Sequence, residues 1–218
     1  MTASVLLPFP AGIRSGPDGL LYVNYGDSVT SPIPGWGLAG VVRLDPAAAQ
    51  PVPQLFAIGA SMTNGAVFDS EGNFYITDTI SGVTRIRPDG VIDRDWSDRA
   101  RLFGANGLTR IGDTLYVTVT PTLGGQIVRM NLADPSRRST VALLDPTLLP
   151  ALPDGLEAGV DGMLYAATAL GRLVRIDPAT GSTCDVYRGE PLASVHTAPG
   201  GDLVLGSELG TILRVHLN

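Results

Sequence analysis

With 218 residues, 44 % of them hydrophobic, the chain is long enough for one domain with a substantial core or a repeat array of that size, which excludes a disordered chain. Its net charge of −6, from 21 acidic and 15 basic residues, excludes a broad cationic surface for phosphate backbones, so nucleic acid is not an expected partner. Every basic residue is arginine, and the absence of lysine excludes Schiff-base and other lysine-amine chemistry.

The Met-Thr-Ala start lacks the basic and then apolar pattern of a secretory signal. The single cysteine, Cys184, makes no intramolecular disulfide, and no apolar run approaches a membrane span. The expectation is a cytoplasmic protein with no membrane partner. The 27 glycines, 17 prolines and 6 % aromatics suit many short strands joined by tight turns, and no ten-residue stretch has a helical period.

In chain order, an apolar run at 4–9 is followed by a unit stated five times. Each unit has a short first segment (G-I-R-S, G-A-V-F, G-L-T-R, G-L-E-A, S-V-H-T), then a turn rich in Gly, Asp or Asn, then an apolar strand. The turn-and-strand copies are P-D-G-L-L-Y-V at Pro17, S-E-G-N-F-Y-I at Ser70, I-G-D-T-L-Y-V at Ile111, V-D-G-M-L-Y-A at Val160 and P-G-G-D-L-V-L at Pro199. Their Gly, Asp and Asn supply the positive φ angles of tight hairpins. A third phrase follows, G-V-V-R-L, G-V-T-R-I, Q-I-V-R-M, R-L-V-R-I and T-I-L-R-V, whose arginines Arg43, Arg85, Arg129, Arg175 and Arg214 stand 42, 44, 46 and 39 residues apart. After the first four of these come strand-like runs at 54–58, 92–96, 139–144 and 183–187.

Four antiparallel strands about every forty residues predict propeller blades. The expected fold is all-β, a five-bladed β-propeller of four-stranded blades forming one domain over 1–218. The fifth repeat stops after its third strand, and the run at 4–9 is expected to take the fourth place and close the ring. The recurring Tyr22, Tyr75, Tyr116 and Tyr165, and the five arginines, read as blade packing, because what recurs in every blade serves the blade.

Function is sought where the repeats differ. Aligned on the tyrosine position, the first strands begin with Ala11-Gly12, Asn64-Gly65, Asn106-Gly107, Asp154-Gly155 and Ala193-Ser194. Asn64, Asn106 and Asp154 are expected to converge on the mouth of the central channel. Two uses fit them: turns between blades, or oxygen donors to a hard divalent cation such as calcium, with the glycines allowing close backbone packing.

The phrases T-N-G-A-V-F-D-S-E-G-N-F-Y-I-T-D-T, A-N-G-L-T and P-D-G-L-E-A-G-V-D-G-M-L-Y resemble the gluconolactonase/regucalcin (senescence marker protein) family. The repeat texture is also similar to that of strictosidine synthase-like and NHL propellers. The first resemblance implies that Asn64, Asn106 and Asp154 bind one divalent metal, calcium in that family's manner, with Asp154 also the base or water-orienting group in hydrolysis of a lactone. The family has a glutamate ligand in its first blade where this chain has Ala11, and it is usually six-bladed. The resemblance therefore implies a weakly held cation and a chain shortened by one blade.

His196 lies in the first strand of the last repeat, where the others hold Arg14, Val67, Thr109 and Glu157, and is a candidate acid, base or metal ligand. Asp78 reads as a hydrogen-bond acceptor that stabilises its blade. Trp36, Met62, Phe103 and Leu149, the last within Leu148-Leu149-Pro150-Ala151-Leu152, are expected to give the site an apolar rim for substrate. The expected function is metal-dependent hydrolysis of a lactone or related ester, on the apolar side of that substrate class. A metal-independent cyclase or isomerase of a natural-product intermediate using His196, and a non-catalytic ligand- or protein-binding propeller, are the alternatives. None of these features implies an oligomeric state.

Overall fold

In the computed structural model, the structure describes residues 5–28 and 39–217. They are all-β apart from one short helix, and form five propeller blades of three or four antiparallel strands. Contacts divide the chain into two compact units, Met1–Phe103 and Gly104–Asn218.

The N-terminal unit carries two blades. The first is β1 (Pro10–Ser15), β2 (Leu21–Tyr25), β3 (Ala39–Leu44) and β4 (Gln54–Ala60). The second is β5 (Thr63–Phe68), β6 (Phe74–Asp78) and β7 (Gly82–Ile86), followed by helix α1 (Arg94–Arg99). The C-terminal unit carries three. They are β8 (Ala105–Ile111), β9 (Thr114–Val119), β10 (Gln126–Asn131) and β11 (Arg138–Leu143); then β12 (Pro153–Ala158), β13 (Leu164–Thr168), β14 (Arg172–Ile176) and β15 (Thr183–Arg188). The last blade is β16 (Leu192–Thr197), β17 (Leu203–Ser207) and β18 (Ile212–Val215).

Apolar side chains of neighbouring blades meet in separate cores. Tyr22 and Val41 of the first blade pack with Phe74, Ile76 and Ile86 of the second. Ile127 and Leu144 pack with Leu156 and Val174, and Tyr165 and Leu173 with Val195 and Leu205. Fully burying each such side chain contributes about 1.5–3 kcal/mol.

The repeated Tyr and Arg sit directly opposite one another across the second and third strands: Tyr22 with Arg43, Tyr75 with Arg85, Tyr116 with Arg129, Tyr165 with Arg175, and Val204 with Arg214. The tyrosine hydroxyls donate to turn aspartates, Tyr22 to Asp18 at 2.9 Å, Tyr75 to Asp69 at 3.0 Å and Tyr165 to Asp161 at 2.9 Å. The packing role expected of the repeats is what the structure shows. Asp78, fully buried, accepts from the backbone N–H groups of Ser61, Ile80 and Ser81 and so fixes the β4–β5 and β6–β7 turns.

Two expectations are corrected. The run at 92–96 is not a fourth strand. Asp93 caps α1 instead, its carboxylate accepting from the Trp96 N–H at 3.1 Å, while Trp96 is buried and packs edge-on against Tyr75. The acidic first turn and basic last turn suit the helix dipole. Among the described residues the segment at 4–9 does not form the expected strand either. Ser4 lies outside the described residues, residues 5–9 form no strand, and among the described residues β18 pairs with β17 alone. Pro8 and Pro10 lack the N–H a ladder needs, and Phe9 has φ 47. The carbonyls of Pro8 and Phe9 accept instead from the N–H of Gly26, and that of Phe9 also from Asp27. Among the described residues, no helix is long and apolar enough to cross a membrane.

Asp93 also pairs with the Arg85 guanidinium, which lies over the Trp96 ring. The Arg85 hydrogen bond, followed by the Trp96 N–H, holds the Asp93 carboxyl below its ordinary value against the opposing effect of burial. A depressed folded-state pKa contributes stability above the unfolded-state value and loses it as pH falls through the folded one. Asp93→Ala is thus expected to lose about 1 kcal/mol or more at neutral pH. Its urea-unfolding stability should also fall less steeply than wild type as pH drops below about 4.

Candidate functional site

In each blade the first strand slips register against the second at the place where the sequences diverge. The slip falls between Pro10 and Ile13, Thr63 and Ala66, Ala105 and Leu108, Pro153 and Leu156, and Leu192 and Ser194. In the first four blades two residues thus face one: Ala11-Gly12 opposite Asn24, Asn64-Gly65 opposite Thr77, Asn106-Gly107 opposite Thr118, and Asp154-Gly155 opposite Ala167. These are β-bulges, which re-aim a side chain out of the ladder.

The glycines are required by close approach. A Cβ on Gly12 would stand 2.5 Å from the Asn64 carbonyl oxygen, one on Gly107 2.2 Å from that of Asp154, and one on Gly155 2.8 Å from Ser194 Cα. Within each unit, therefore, the bulge of one blade rests on the bulge of the next. Polar residues of the second strands tie them down. Asn24 Nδ2 donates to the carbonyls of Asn64 at 2.8 Å and Gly65 at 3.3 Å, and the Thr77 hydroxyl donates to Gly65 O at 3.3 Å. The Thr118 hydroxyl accepts from Gly107 N at 2.6 Å and donates to Asp154 O at 2.8 Å, while Thr120 donates to Pro153 O at 2.6 Å. Asn24, Thr77 and Thr118 all stand two residues after the blade tyrosine, a signal that is present in the sequence but hidden among strand residues.

Asn64, Asn106 and Asp154 thus hold one equivalent bulge position in three blades, each partly buried. Asn64 lies in the N-terminal unit, and Asn106 and Asp154 lie in the C-terminal one. Asn64 meets a residue that sequence reasoning misses. Its Nδ2 donates at 3.3 Å to the carboxylate of Asp27, just beyond β2, whose carboxyl is raised above its ordinary value by burial. Ala11 offers no donor.

His196 is largely exposed on β16, its Nδ1 3.4 Å from Oε1 of the nearly buried Glu157 on β12. Both hold the register position of Thr109, whose hydroxyl accepts from Ala158 N at 3.1 Å. Glu157 stands three positions after Asp154, beyond the bulge that Asp154 occupies, so the Glu157–His196 pair is not part of that bulge.

Trp36 lies outside the described residues. Met62, partly buried, precedes the Asn64 bulge by two residues, with its carbonyl accepting from Thr79 N. Phe103 and Leu149 are 66 % and 62 % exposed on the segments entering β8 and β12. Ala151 is fully buried in an inter-blade core and belongs to packing, not to a rim. An apolar cavity of about 750 Å³ lies on the first blade between Val5, Leu7, Ile13, Val23 and Leu44.

Five antiparallel blades, each with its first strand slipped at one equivalent place, define a β-propeller. The chain shares that fold with propellers of the gluconolactonase kind. A gluconolactonase from Xanthomonas campestris is 19 % identical with a TM-score of 0.73, the match covering 97 % of this chain and 74 % of that one. A glucose dehydrogenase is 15 % identical with a TM-score of 0.72, covering 99 % and 86 %. Virginiamycin B lyase from Staphylococcus aureus is 13 % identical with a TM-score of 0.63, covering 96 % and 70 %. No family model and no curated protein matches the sequence. At these identities the likeness establishes the fold.

Proposed function

We propose that the protein hydrolyses a lactone or related ester with the help of a weakly held divalent cation, calcium by the chemistry of its donors. The observation that supports this most is the recurrence of one bulge bearing Asn64, Asn106 and Asp154, each followed by glycine. These side chains offer amide and carboxylate oxygens, the donors a hard cation takes. When bound, it supplies Lewis-acid polarisation of the ester carbonyl and neutralises developing negative charge.

The chain's own groups do the rest. Asp154 Oδ accepts the proton of the attacking water, and the Thr118 and Thr120 hydroxyls on the Asp154 and Pro153 carbonyls keep the backbone beneath it fixed. Leu149, exposed on the segment that leads into β12 and Asp154, favours an apolar portion of the substrate over a sugar acid. The experiment is hydrolysis of a panel comprising gluconolactone, alkyl γ- and δ-lactones and an aryl ester. It is run on chelator-treated protein and again after calcium is restored. Turnover of an alkyl lactone that vanishes on chelation and returns with calcium supports the reading, whereas turnover indifferent to chelation contradicts it.

The Glu157–His196 pair favours one second reading, acid–base isomerisation or cyclisation without metal. A carboxylate beside Nδ1 orients an imidazole for acid–base work. That activity would survive chelation and disappear in His196→Ala.

A further inference from the structure

The end of β2 and the start of β5 bring three side chains with oxygen donors to one bulge of the N-terminal unit. Asn24 is fully buried on β2. Its Nδ2 is spent on the Asn64 and Gly65 carbonyls, which anchors the amide at that bulge, and its Oδ1 is buried there with no hydrogen-bond partner among the described residues. A buried amide oxygen left without a donor costs about 1–3 kcal/mol. Three residues on, the partly buried Asp27 carboxylate is placed by its own backbone, whose N–H donates to Phe9 O at 3.1 Å, and meets the Asn64 side chain at 3.3 Å.

The 3.3 Å spacing matters. Neighbouring oxygens around calcium, each about 2.4 Å from the ion and about 90° apart, stand roughly 3.4 Å from one another. A half-turn of the Asn64 amide exchanges Nδ2 for Oδ1 at the same place, and converts a hydrogen-bonded pair into two adjacent oxygen ligands. Among the described residues the Asp27 carboxylate accepts this one long amide hydrogen bond, little compensation for its desolvation.

We infer that Asp27 is a carboxylate ligand for a hard divalent cation at the Asn64 bulge, with the orphaned Oδ1 of Asn24 facing the same site. This rests on the cation-dependent reading proposed above. It supplies from the first blade a negative charge that Ala11 does not.

The test is a calcium titration of the whole chain followed by thermal unfolding, a readout independent of catalysis. Stability rises as RT ln(1 + [Ca²⁺]/Kd) when the ion binds only the folded state. Wild type, Asp27→Asn and Asp154→Asn are compared. Asp27→Asn preserves shape and removes a desolvated charge, so without calcium it should unfold no lower than wild type. With calcium its apparent Kd is expected to rise at least tenfold. If wild type responds, Asp154→Asn weakens the response and Asp27→Asn titrates like wild type, this inference is overturned and the hydrolase reading stands. If wild type responds to neither calcium, magnesium nor manganese, both are overturned. Should Asp27→Asn fail to fold, Asp27→Glu is titrated instead. It keeps the charge but moves it by one methylene, and an affinity equal to wild type overturns the inference.

Discussion

Gly107→Ala is expected to destabilise the protein by roughly 3 kcal/mol or more, a large fraction of a typical folding free energy. The new Cβ would lie 2.2 Å from the Asp154 carbonyl oxygen and 2.6 Å from Leu156 N, both backbone atoms of the next blade. No side chain can rotate away to relieve this. The two bulges must separate, which breaks the Thr118 bridge between Gly107 N and Asp154 O. Gly112→Ala is the control. Gly112 has φ +55 with nothing within 4 Å of a Cβ, so its cost is backbone strain alone, about 1–2 kcal/mol. Urea unfolding of the two variants measures the difference, and equal costs would contradict the account of stacked bulges.

Asp154→Asn is expected to abolish most hydrolysis, by about 10²-fold or more, while the protein stays folded. The hydrogen bond from Thr118 runs to the backbone carbonyl of residue 154, so exchanging carboxylate for amide leaves it in place. What is lost is the negative charge that, in the proposed mechanism, accepts a proton and attracts a cation, so calcium affinity should fall in the same variant. Asp161→Asn separates this from a general effect of losing an acid in the same blade. Asp161 accepts from the Tyr165 hydroxyl and pairs with Arg175 at 3.3 Å, so its loss should lower stability and spare turnover. Unchanged hydrolysis in Asp154→Asn would remove that residue from the chemistry.

The blade architecture is legible in the sequence because it is written in period. The Tyr of each second strand and the Arg of each third are direct partners, so their spacing in sequence is a register in space. The glycines after Asn106 and Asp154 are also legible as close-packing residues, and the short approaches of neighbouring backbone to them bear this out. Helix α1 is not, because a six-residue helix is too short for a period and is specified by a cap, Asp93 accepting from Trp96 N, more than by its apolar residues. The course of residues 5–9 is hidden because hydropathy does not register that Pro8 and Pro10 have no N–H and that Phe9 takes a positive φ. Asp27 escapes for a related reason. It lies beyond the end of its strand, outside any aligned position, and only the fold brings it to Asn64.

The most direct measurement is the rate of alkyl-lactone opening by chelator-treated protein as calcium is added back, with Asp154→Asn alongside. Proposed hydrolysis at a cation-holding bulge predicts that wild type recovers saturably with calcium and that the variant does not recover. A rate indifferent to calcium, or equal recovery in both proteins, would contradict it.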